Sequence, residues 1–156
     1  MLGNIVFVNT SGEGLVYGAM YNHNTSTTLT ITDTTPVEIP SGFTAGQLNG
    51  VTFANARELT VTEPGMYKID WSISFNTDGG SNQDIEGAIG VNNTANAQGT
   101  CHRFIGTASD VGCMSGTAIL DLGDDSVISL FMTNLTDSNN IVVTHTNLTL
   151  VQVGGT

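Results

Sequence analysis

The chain has 156 residues, only 11% of them charged, and its 14 acids against three basic residues give a net charge of −11. Arg57, Lys68 and Arg103 alone cannot neutralise a phosphate backbone, so nucleic acid and acidic membranes are excluded as partners. Lys, Glu and Arg, the usual surface formers of helices, are scarce beside Thr, Asn, Ser and Gly, which points to one all-β domain that needs no metal or disulfide to fold.

Residues 1–16 read as an N-terminal arm ahead of a domain over 17–156. Ile5, Val6, Phe7 and Val8 have the make-up of a short strand that docks on a partner, and Thr10, Ser11, Gly12, Glu13 and Gly14 form a flexible joint behind it. No basic stretch precedes this short apolar run, so it reads as neither a signal peptide nor a spanning helix, and the chain is expected to be made in cytoplasm and soluble. Short strands are predicted over 17–21 and 27–32. Breakers at Pro36, Pro40, Gly42 and Gly50 then make 35–50 a long surface connection.

After short strands over 51–53 and 58–62, Pro64 and Gly65 lead into the clearest signal in the chain. Tyr67, Ile69, Trp71, Ile73 and Phe75 alternate with Lys68, Asp70, Ser72, Ser74 and Asn76, a strict period of two that predicts a long strand with the first set facing a core. A turn over 78–82 and a strand over 85–91 follow. Residues 100–105 and 111–120, flanking a turn at 106–110, predict a hairpin with Cys101 directly opposite Cys113. That geometry is open to a disulfide, although a protein assembled in cytoplasm keeps such thiols reduced.

Residues 127–134 are apolar on both faces through Val127, Ile128, Leu130, Phe131 and Met132. The last strand, 141–153, sets Val142, Leu148 and Leu150 against Val143, Val151 and Val153. Two strands apolar on both faces imply that another subunit covers one outer surface. Leu130, Met132, Leu148 and Leu150, with His145, are the expected interface residues.

About ten strands in this order, with Gly65 and Tyr67 opening the central one, resemble the trimeric jelly rolls of the tumour-necrosis-factor and complement globular-head superfamily. The run from Leu120 through Gly123, Asp124 and Asp125 to Leu130 is similar to that family's penultimate hairpin, whose turn precedes a strand at the threefold axis. More closely, residues 17–21, 102–106, 110–112 and 148–155 resemble a group of small bacteriophage virion proteins with this fold. The resemblance implies an antiparallel β-sandwich jelly roll that forms a homotrimer and decorates a phage head, with the arm gripping the major capsid protein. There is no collagen-like stalk, fibre shaft or heptad repeat, which favours decoration over a fibre. The alternative is a fibre tip that binds a receptor or host-surface glycan through the loops 36–50 and 78–82.

Catalysis is not expected, because His23, His102 and His145 lack a Ser or Cys partner in a nucleophile context. His102 beside Arg103 fits an interface contact or a solvated strand position. His145, repeated around a threefold axis, can hold an anion or metal, but a hydrogen-bonded interface role is the simpler reading. Asp121, Asp124 and Asp125 lack the spacing of a calcium loop, and Cys101 with Cys113 lack the companions of a zinc site. No cofactor and no metal are expected.

Overall fold

Apolar and polar residues alternating along one strand set the centre of the sandwich. In the computed structural model, which describes residues 14–155, that strand is β6 (Gly65–Thr77). Tyr67, Ile69, Trp71, Ile73 and Phe75 all turn into the core. The expected docking residues Ile5, Val6, Phe7 and Val8 lie outside the described residues.

Before β6 come β1 (Tyr17–Leu29), β2 (Val37–Glu38), β3 (Thr44–Asn49), β4 (Val51–Ala54) and β5 (Glu58–Val61). After it come β7 (Ser81–Val91), β8 (Thr94–Thr107), β9 (Gly112–Leu122), β10 (Val127–Asn134) and β11 (Ile141–Gly155). They form two antiparallel sheets, ordered β3-β1-β11-β6-β9 and β4-β5-β10-β7-β8, with β2 added against β10. The chain is thus an all-β jelly-roll sandwich. Core packing reaches back to Val16, whose carbonyl accepts from the Gln152 amide at 2.9 Å.

Trp71 shows how small residues let the two sheets meet. A side chain at Gly87, on the opposite sheet, or at Gly116, beside Trp71, would strike the indole within 2.7 Å. The ring fills both spaces, and its N–H donates to the Gly99 carbonyl at 3.0 Å. At one end, buried Asn134 donates its amide to Gln83 Oε1 at 2.7 Å and to Asp137 Oδ1 at 3.1 Å, pinning the turn between β10 and β11.

Several sequence-based expectations are corrected. The segments 17–21 and 27–32 belong largely to one strand, β1, with an irregularity between His23 and Thr27. The supposed long connection over 35–50 contains β2 and β3. The hairpin joining Cys101 to Cys113 does not form, because β8 pairs with β7 in one sheet and β9 with β6 in the other. Likewise, the Gly123-Asp124-Asp125 turn carries the chain between sheets and is not a hairpin within one. It delivers β10 to the middle of the second sheet.

The expected interface residues are corrected too. Leu130, Met132, Leu148 and Leu150 are each at most 1% exposed in the single chain, because all four point into its own core. On β10 the second apolar face is closed from within: Phe131 lies over Gly90, where a β-carbon would approach the ring to 2.3 Å. On β11 a bulge between Val143 and His145 reverses the alternation, so Val143, Leu148 and Leu150 all face inward although their numbering parity differs. Replacing Leu130 by Ala is therefore expected to destabilise the folded chain by about 2–5 kcal/mol, whereas Val111→Ala, exposed in the connection between β8 and β9, changes little. Chemical denaturation of the two variants checks this, and equal losses would contradict the placement.

Candidate functional site

The outward face of the first sheet is built by register. Tyr17 pairs with Val151, Val151 with Lys68, and Lys68 with Ile119, which makes a row across β1, β11, β6 and β9. The next outward rows run Ala19-Thr149-Asp70-Thr117, Tyr21-Asn147-Ser72-Ser115 and His23-His145-Ser74-Cys113. Directly opposed residues share a face, so these side chains lie together on one side of the sheet. Tyr17, Tyr21, Met66 and Ile119 are 36 to 53% exposed there, and Val151 is half-buried among them.

The charge on this face is sparse. Of the acids among the described residues only Asp70 and Asp121 occupy it, and Asp70 is paired with Lys68. Lys68 is the first cause holding the Asp70 carboxyl below the usual aspartate range, with a further contribution from Thr117. Copies of a chain carrying −11 repel one another, but a face nearly free of acids removes that repulsion locally. Large exposed apolar side chains and low charge together make it the surface best suited to burial against another protein.

Of the sequence-predicted interface residues, His145 alone reaches this face, opposite His23. Tyr17, Tyr21, Met66, Val151, Ile119 and His23 went unassigned. The signal for them lay in their strands' alternation, read with the β11 bulge in place.

His102 sits on the outer face of the other sheet, on β8, cross-strand from Glu86. Its Nε2 lies 2.9 Å from Glu86 Oε2 and its Nδ1 3.4 Å from Asp84 Oδ1. Partial desolvation opposes its charge, yet hydrogen bonds and attraction from both carboxylates outweigh it and raise the imidazole above its ordinary value. Phe104 is exposed beside this cluster. Cys101 turns toward the core and Cys113 toward solvent, and both thiols are free. Among the described residues no three His, Cys, Asp or Glu gather where they can hold a metal, so Asp121, Asp124 and Asp125 do not converge on one site.

No protein-family model and no curated protein matches the sequence. Among solved structures, Eiger TNF from S. frugiperda is similar with a TM-score of 0.60 at 12% identity, over 91% of this chain and 94% of that one. Murine APRIL is similar with a TM-score of 0.55 at 12% identity, over 88% of this chain and 99% of that one. At such identities the likeness is one of fold, a tumour-necrosis-factor-like jelly roll.

Two outcomes follow from these positions. A maleimide reagent is expected to label Cys113 well before Cys101, with an intact mass unchanged by reductant; a gain of about two mass units on reduction would contradict the free thiols. Folded His102 holds its proton more tightly than the unfolded chain does. Its stabilisation is therefore complete below the ordinary value of 6.5 and is lost as pH rises through the raised folded value. His102→Gln should lower the denaturation midpoint more at about pH 5.5 than at about pH 8.5, and an equal loss at both would contradict the ion pairing.

Proposed function

We propose that this chain is a non-enzymatic structural protein of a bacteriophage virion, a homotrimer that decorates the head surface and cements the major capsid protein. The observation that carries the self-association is the outward face of the β3-β1-β11-β6-β9 sheet, with Tyr17, Tyr21, Met66, Val151 and Ile119 exposed or half-buried and only two acids of the described residues on it. Likeness in fold to tumour-necrosis-factor proteins supports three copies rather than two. The placement on a phage head rests on the resemblance of residues 17–21, 102–106, 110–112 and 148–155 to small virion proteins. On this reading the chain is made in the host cytoplasm and assembles on the head without nucleic acid or membrane as partner.

The interface has a direct test, because an unpaired charge buried in a dry contact is strongly unfavourable. Tyr17→Asp, in the most apolar row and directly opposite the uncharged Val151 and Asn49, is expected to sediment as a monomer with an unchanged circular dichroism spectrum. A variant that stays trimeric would remove this face from the assembly.

Imaging of purified virions by electron cryomicroscopy tests the location. Density for a threefold bundle at capsid threefold or quasi-threefold points is the expected result. Density confined to the tail tip or fibres would replace decoration by host recognition, with a surface glycan as the ligand to seek.

A further inference from the structure

We propose that His23 and His145 form a two-histidine chelate for a divalent transition-metal ion of the zinc, nickel and copper class. The two residues are far apart in sequence and are brought directly opposite each other by the β1–β11 pairing. Their ring centroids are 5.2 Å apart, edge to face at 66°. An ion bonded to one nitrogen of each imidazole at about 2.0–2.1 Å in tetrahedral geometry separates the ring centroids by about 5 Å. The backbone thus holds the two ring centroids at the separation such an ion requires.

Hydrogen bonding also selects the tautomer. Thr144 Oγ1 donates its one hydrogen to the Ser74 carbonyl at 3.2 Å, so toward His145 Nδ1, at 3.3 Å, it can only accept. His145 in its neutral form therefore carries its proton on Nδ1 and its lone pair on Nε2. The Asn24 side-chain amide nitrogen, 3.0 Å from His23 Nε2, can only donate, which places the His23 lone pair on Nε2 as well. Both rings present the same nitrogen as a ligand, and His145 donates its other N–H to a neighbour as metal-bound histidines commonly do. A metal takes the place of the exposed Asn24 contact at His23 Nε2.

The backbone is built around this pair. The irregularity in β1 begins immediately after His23, where Asn24 takes a φ of 57°, and the β11 bulge ends at His145. Bulges in adjacent strands re-aim side chains at a chosen point in a sheet. Imidazole ligands suit zinc, copper and nickel and leave magnesium and calcium unbound. Two protein ligands leave the remaining positions to water or to an outside group. The row lies six residues along β1 from Tyr17, about 20 Å from the most apolar row. The chelate is completed within one chain, so it stands or falls independently of the assembly.

Zinc chloride titrated into the purified full chain tests the proposal, read by equilibrium dialysis and by NMR of the imidazole ring protons. One zinc per chain is expected, with the rings of His23 and His145 shifting and that of His102 unmoved. His23→Ala and His145→Ala should each weaken binding about tenfold or more, while Cys113→Ser and magnesium chloride serve as controls that leave zinc binding as it was. Absence of bound zinc at millimolar metal, or zinc binding that persists unchanged in both histidine variants, would overturn it. The wild-type ring-proton shifts decide the matter even if a variant fails to fold.

Discussion

Everything in this fold hangs on the alternation along β6, held between β11 on one side and β9 on the other. Its odd-numbered residues from Tyr67 to Phe75 are buried to 3% exposure or less, and that fixes which residues of both neighbours point inward. Because pairing is direct across the ladder, one strand's parity propagates through Leu148 and Leu150 on β11 and Met114, Ala118 and Leu120 on β9. The same rule writes the opposite face, row by row. The core and the candidate interface are therefore two consequences of a single periodicity.

That periodicity was legible in the sequence, as were the existence of most strands, the turn at Gly123 to Asp125 and the turn expected over 78–82, whose last two residues already belong to β7. The interface was misread because local patterns have non-local causes. Leu130 and Phe131 look like two apolar faces needing two covers, but Gly90 on a neighbouring strand offers the space in which Phe131 closes one of them. Val143 and Leu148 look like opposite faces until the bulge before His145 is counted. Cys101 and Cys113 have the symmetric spacing of a hairpin, while the chain in fact uses that turn to change sheets, which alternation alone cannot reveal. The pairing of His23 with His145 was similarly hidden, since only sheet order joins the first described strand to the last.

Charge segregation gives the molecule two characters. Acids crowd the loops and the second sheet, where Asp84 and Glu86 flank His102 and Asp124 and Asp125 sit in a turn, so that surface repels its own copies. The first sheet's outward face instead carries tyrosines, a methionine and aliphatic side chains over a polar ground of Ser, Thr and Asn. Such a mixture resembles the surface of a subunit that folds alone and then associates more than an exposed core, in keeping with four inward leucine and methionine positions fully satisfied within one chain.

Self-association through this face is read by native mass spectrometry of the unmodified chain at micromolar concentration. A dominant species of three chains, each 16.3 kDa, is expected. A spectrum containing only the single chain at that concentration would contradict it.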